Sequence, residues 1–401
     1  MRQALAFRQK YDGYACVSSI IALLMLSTFM ERTKMHPYTN YSWALAGEAF
    51  TMVQYLGLHR MCNVSPNPAD QELASRVFWL AFVCDRVLCV VTGRPFTFDE
   101  KDIDITPPKL TDEERQDPGA EVYLRNFDCL INISKVIGRV LRFNFSAQSD
   151  DFRAPSLHRE AMLSTLDSWI ASLMKESMVQ EYPPGVVEMQ RLFDIHKMLM
   201  LYCMLILLHQ PYVDEVQTKP GYSRKNSETR PSYEICSASA TIITHTVYQL
   251  PLVDLEYLLN QSASLYAVLT AARLHLMNAS FQHDPEAIMN GEINFLRSMA
   301  VLEKLHSPPK SSLTQTMIAF QERFDSRPDS ILSDYIADRI RKEACTAQAK
   351  TPFYLRFTPA LRAAGEPSPT VEHADIVPEQ QSQLAPTPQP STERSIFNQY
   401  T

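Results

Sequence analysis

Asp99-Glu100-Lys101-Asp102-Ile103-Asp104 sets carboxylates at short spacing, the donor type that calcium and magnesium demand. A calcium loop opening at Asp99 would need glycine at its sixth position and glutamate at its twelfth. Those positions hold Asp104 and Leu110, so the carboxylates are expected instead to pair with Arg94, Arg86 or Arg60, or to cap backbone donors. Asp150-Asp151 could bridge magnesium to a diphosphate only with a further carboxylate at position 154, which is Ala. His59 stands beside Arg60 with no serine or cysteine nucleophile set next to it by any motif, and reads as a capping or hydrogen-bonding group. His196, His209, His245 and His275 lie along apolar runs and read as satisfied helix groups.

Other chemistries fail on composition. Only 10 of 401 residues are glycine, and none are spaced as G-x-G or as a P-loop, where the backbone must approach an anion. G-x-S-x-G and H-E-x-x-H are also missing. The cysteines are Cys16, Cys62, Cys84, Cys89, Cys129, Cys203, Cys236 and Cys345, and no pair forms C-x-x-C. A structural zinc site needs clustered thiolates, so these read as small buried hydrophobes in a reducing compartment. The expectation is no catalytic residue, no metal and no cofactor.

A formal charge of −7 argues against gripping a polyanion unaided. Arg224-Lys225 and Arg339-Ile340-Arg341-Lys342 are brief and read as solvated surface. The apolar runs Cys16 to Phe29 and Met198 to Leu208 fall short of the roughly twenty residues a bilayer demands, and read as core helices.

The elements that must position these residues are helical throughout. Apolar periodicity predicts helices near 14–35, 39–59, 70–92, 119–148, 156–178, 186–209, 232–249, 261–282, 285–306, 311–324 and 328–346, with loops at 95–118 and 210–231. In the segment 70–92, Leu73, Val77, Leu80, Cys84, Val87, Leu88 and Val91 form one stripe, with Arg76, Asp85 and Arg86 off it. Gly93 supplies a left-handed cap and Pro95 stops continuation. The segment 39–59 is apolar nearly all round and is expected to be central, with Trp43 in the core. Gly47 in its interior costs about 1 kcal/mol against Ala, which close approach by another helix would compensate. Beyond Ala347, prolines at 352, 359, 367, 369, 378, 386, 388 and 390 among Gln, Ser, Thr and Glu predict a disordered tail over 347–401. The fold class expected is all-α, a stacked helical domain over 1–346.

Six fragments in order within Tyr41 to Pro108 carry a resemblance. They are Trp43, Gly47 and Ala49; Leu56-Gly57-Leu58-His59-Arg60; Arg76-Val77-Phe78-Trp79; Asp85-Arg86; Gly93-Arg94-Pro95; and Asp102-Ile103-Asp104-Ile105. Together they resemble the middle homology region of fungal zinc binuclear cluster transcription factors, and weaker similarity extends over about 14–306. Leu207-Leu208-His209-Gln210-Pro211-Tyr212 looks like that family's L-L-H-R-P-F with Gln210 in place of Arg. Cys236-Ser237-Ala238-Ser239-Ala240 resembles its C-x2-A-A, while Ser75-Arg76 has fewer arginines than the family pattern.

The resemblance implies a nuclear transcription regulator of a metabolic or secondary-metabolite biosynthetic gene set, not an enzyme. Its partners would be other transcription factor chains or coregulators, with a possible small-molecule effector and no membrane. Family members read DNA through six clustered cysteines, a set not found among the eight here, so DNA would be reached only indirectly or through a missing amino-terminal domain. Arg60, Arg76, Asp85, Arg86, Arg94, Asp102 and Asp104 are expected to form a structural ionic cluster locking helix ends to the loop, with Trp43, Gly47 and Trp79 in the core. The competing readings are an α-helical enzyme and an interaction module that titrates full-length transcription factors.

Overall fold

The computed structural model describes residues 15–32, 36–61, 67–145, 157–178, 187–217, 232–281, 285–305 and 311–327. The expected helix 328–346, Asp150-Asp151, both basic clusters and the proline-rich tail lie outside the described residues.

Eleven α-helices and no strand occur among the described residues, so the chain is all-α. They are α1 (Val17–Arg32), α2 (His36–Tyr55), α3 (Pro68–Thr92), α4 (Pro118–Phe145), α5 (Leu157–Met178), α6 (Val187–Gln217), α7 (Ser232–Tyr248), α8 (Leu252–Leu259), α9 (Ser262–Phe281), α10 (Pro285–Glu303) and α11 (Ser312–Asp325). Residues 93–117 form a strap between α3 and α4, broken by 3₁₀ turns at Glu100–Asp102 and Glu114–Gln116.

Local chemistry sets the ends of α3. Asn67 Oδ1 accepts from the Ala69 amide at 3.3 Å, Pro68 occupies the first turn, and Asp70 places a carboxylate near the helix's positive end. Gly93 adopts φ 68° and donates its amide to the Cys89 carbonyl, ending the helix as its sequence foretells.

The apolar side chains fall into two cores. The first joins α1, α2, α3 and the strap through Phe50, Phe78, Phe82, Phe98 and Ile105. The second is built around α6 and includes side chains of α4, α5, α7, α8, α9 and α10. α3 lies between them, giving Phe78 and Phe82 to the first and Val90 to the second.

That position corrects the expected stripe. Leu73 is 46% exposed and Leu80 37%, whereas Asp85 and Arg86 are each 1% exposed. A helix packed on two sides has no single apolar stripe. α2 is likewise not central: Tyr41, Trp43, Ala44 and Tyr55 are exposed, Trp43 by 42%. Trp43 is therefore not a core residue, while Trp79 is, at 4% exposure. Nor does another helix approach Gly47, since an added Cβ there meets nothing within 4 Å. Close approach falls instead at Gly291, where a Cβ would stand 2.7 Å from the Ala279 amide nitrogen, and at Gly138, where it would stand 2.8 Å from Arg86 Nε.

The central helix is α6, in which every residue from Lys197 to His209 is buried. Its span Gln190–Val213 is long and apolar enough to cross a membrane by length and composition, but 72% of that window is buried inside the protein. α6 also runs to Gln217, through Pro211 and past the expected loop start at 210. Proline has no amide to offer the carbonyl four residues back. Asn144 of α4 donates to that carbonyl, Leu207 O, at 2.6 Å, and to Leu208 O at 3.3 Å. A side chain 63 positions away thus satisfies the acceptor that Pro211 leaves open.

Candidate functional site

The strap is held against α2, α3 and α4 by charge. Glu72 and Arg76 leave α3 one turn apart, with Arg76 Nε 2.6 Å from Glu72 Oε1. Arg76 also forks onto both oxygens of Glu114, at 2.6 and 2.7 Å, and donates to the Lys109 carbonyl. Glu72 in turn accepts from the Lys109 amide, and Glu114 from the Thr111 amide. The Arg76 guanidinium, with the Thr111 amide, holds the Glu114 carboxyl down to about 2.

Nearer Gly93 the same strap meets a buried pair. Asp85 accepts the amides of Thr97 and Phe98 and lies 2.7 Å from Arg86. Arg86 donates to the Phe98 carbonyl, and its guanidinium stacks between the rings of Phe82 and Phe96 at 4.3 and 4.2 Å. Burial pushes the Asp85 carboxyl up, against the pull of those amides and of Arg86, and pushes the Arg86 guanidinium down.

At its middle the strap crosses the end of α2. There Gly57, at φ 66°, turns the chain back. Arg60 Nε lies 3.4 Å from Asp104 Oδ2, and Arg60 Nη1 donates to the Asp102 carbonyl. Asp104 Oδ1 accepts from the Met61 amide, while the His59 carbonyl accepts from Asp104 and Ile105.

The seven charged residues expected to form one cluster therefore occupy separate stations. Arg60 meets Asp104, Arg76 meets Glu72 and Glu114, and Asp85 meets Arg86. Arg94 lies over the Trp43 ring at 4.3 Å. Asp102 contributes its backbone carbonyl. One cluster was impossible because α3 carries Arg76 and Asp85 two and a half turns apart, about 14 Å along the axis. Asp99 caps the Lys101 amide at 3.1 Å, as expected, but the ionic partners of Asp99 and Glu100 need correction: Arg142 and Arg139 of α4 pair with them at 2.8 and 3.1 Å. Sequence reading missed Glu72, Glu114, Arg139 and Arg142. Only Glu72, four residues before Arg76, carried a local signal.

Between the end of α2 and the strap lies an open cleft of about 240 Å³, lined by residues that include Gln54, His59, Arg60, Phe98, Asp102 and Ile103. His59 Nδ1 is shielded from solvent and has no hydrogen-bond partner among the described residues. No group of three or more His, Cys, Asp or Glu able to hold a metal occurs among the described residues.

His196, His209, His245 and His275 lie on the helices of the second core. Burial lowers His196 to about 4 and His275 to about 3, and burial with Arg297 nearby lowers His245 to about 4. His209 is hydrogen-bonded at both ring nitrogens, to Ser232 Oγ at 3.0 Å and Asp167 Oδ1 at 2.8 Å. A nucleophilic serine needs access to substrate. Ser232 is 5% exposed and His209 0%, so the three side chains tie α5, α6 and α7 together.

The six ordered fragments thus converge on one unit: α2, α3 and the strap that α3 clamps. The family model of the fungal specific transcription factor domain matches residues 9–175, which contain this unit whole. Residues 9–175 are a fungal specific transcription factor domain.

Curated relatives agree. The chain is 34% identical over 91 residues to an ABC-transporter-regulating transcription factor of Aspergillus oryzae, covering 22% of this chain and 10% of that one. It is 24% identical over 166 residues to a thiamine-repressible genes regulatory protein of Schizosaccharomyces pombe, covering 41% and 21%. A transcriptional regulatory protein of S. pombe is 21% identical over 262 residues, covering 62% and 32%. In each case the chain spans a third or less of the relative's length. No solved structure matches it.

Proposed function

We propose that this chain is the regulatory part of a nuclear fungal transcription regulator, controlling a metabolic or biosynthetic gene set without doing chemistry itself. The fungal specific transcription factor domain carries the reading: all six fragments lie inside residues 9–175 and fold into one clamped unit. Regulators of transporter and thiamine-repressible genes among the relatives support a metabolic target set. The partners are other transcription factor chains or coregulators, through which DNA is reached, with a single domain over 1–346 presenting the contacts. The charged stations serve to fix the strap, a structural role.

Tethering residues 1–401 to a reporter promoter through a heterologous DNA-binding domain tests this. Transcription should change several-fold, up or down, and the change should shrink when Asp85→Asn loosens the strap. A reporter unmoved in either direction, with the fusion present in the nucleus, would overturn the reading.

A further inference from the structure

We propose that the cleft between the end of α2 and the strap is a binding site for a small free α-amino acid with a compact apolar side chain. As an effector site, it rests on the regulatory reading above.

The cleft offers opposite charges in one small space. Arg60 spends Nε on Asp104 and Nη1 on the Asp102 carbonyl, which leaves Nη2 without a partner among the described residues. The Asp102 carboxylate, on an exposed residue, enters no hydrogen bond or ion pair among the described residues, although its backbone is fixed at both its amide and its carbonyl. A guanidinium edge suits a carboxylate and a free carboxylate suits an ammonium. A ligand carrying both charges a few bonds apart engages both groups at once, whereas a simple anion or cation engages only one. Gln54 adds an exposed amide at the rim.

Size and floor narrow the class. At about 240 Å³ the cleft is smaller than the roughly 300–1,000 Å³ of sites for drug-sized ligands, so a compact molecule suits it. Phe98, 3% exposed, and Ile103, partly buried, put a small apolar area within a mostly polar lining, room for a short aliphatic side chain and no more. The site also touches both sides of the strap contact, so an occupant would bridge α2 to the strap.

Isothermal titration calorimetry of residues 1–401 tests the assignment, with L-alanine, L-valine and L-leucine as probes. Isobutylamine and 3-methylbutanoate are valine without its carboxylate and without its ammonium. Saturable binding of at least one amino acid is expected, with each one-charge analogue at least about tenfold weaker than valine, since each loses one of the two charge-assisted contacts. Asp102→Asn should weaken binding by at least about tenfold as well. Its thermal midpoint should stay unchanged, because the side chain holds nothing in the fold. No saturable binding up to about 10 mM, an analogue matching valine, or undiminished binding by Asp102→Asn would each overturn the site. Because calorimetry involves no promoter, such a failure leaves the reporter result standing, and an inert reporter with intact binding would overturn only the regulatory reading.

Discussion

The two cores keep their polar groups in different ways. In the first, ions hold a strap: Glu72, Arg76 and Glu114 clamp it at its edge, and Asp85 with Arg86 pins it from beneath. In the second, neutral contacts between helices stand beside buried ion pairs, Glu292 with Arg327 at 2.7 Å and Lys197 with Asp194 at 2.8 Å. His275 meets Thr244 at 3.0 Å, Thr244 meets Ser298 at 2.9 Å, and His196 meets Ser264 at 2.6 Å. The difference follows from what must be held. A strap of irregular backbone presents amides and carbonyls that its own structure cannot satisfy, and charged side chains are the strongest partners for them. Helices satisfy their own backbones, so between them only side chains need pairing, hydroxyls and imidazoles among them. The charges buried there are repaid by a partner, as Glu292 is by Arg327.

Acid should separate the two cores, and with the largest effect. His196, His245 and His275 titrate in the folded protein at about 4, 4 and 3, against an ordinary 6.5 when unfolded. Between pH 6.5 and about 4 the unfolded chain binds protons that the native one refuses, so stability falls as pH falls. Each histidine costs roughly 1.4 kcal/mol per pH unit well inside that window. Glu114, held at about 2, stays charged over the same range and keeps the strap clamped. Amide exchange at pH 5 should therefore lose protection first in α6, α7 and α9, which carry these histidines. Earlier loss in the strap would break the comparison.

Charge removal should separate them next. Arg86→Met leaves Asp85 buried with its cation gone, and should cost about 3–5 kcal/mol in urea unfolding. Arg60→Met, at an exposed ion pair of the same strap, should cost under about 1 kcal/mol. Equal losses would mean that burial does not decide the worth of these pairs.

The smallest effect expected is at Trp43. Its ring is 42% exposed and lies under the Arg94 guanidinium, so Trp43→Ala should cost about 1 kcal/mol or less. Trp79→Ala, which empties a site between Phe78 and Phe82, should cost about 3–5 kcal/mol. Differential scanning calorimetry of the two variants side by side would check the contrast.

What the chain determined by itself was local. Helix ends and cores were legible wherever the signal lay within a few residues: Gly93 closing α3 and the unbroken apolar run of α6. The short helix α8 escaped because eight residues span little more than two turns, too few to show a period. The six fragments likewise pointed to the fungal domain, since they are read in order along the chain.

Tertiary structure decided which face of each helix was buried and which charges met. An apolar residue such as Trp43 is indifferent to whether a neighbour arrives, and only the packing of α1, α2 and α3 left it at the surface. Arg142 found Asp99 across 43 positions, and Asn144 found the carbonyl that Pro211 leaves open across 63. No spacing rule foresees such pairs, because the chain between them can close in many ways and only the finished packing selects one.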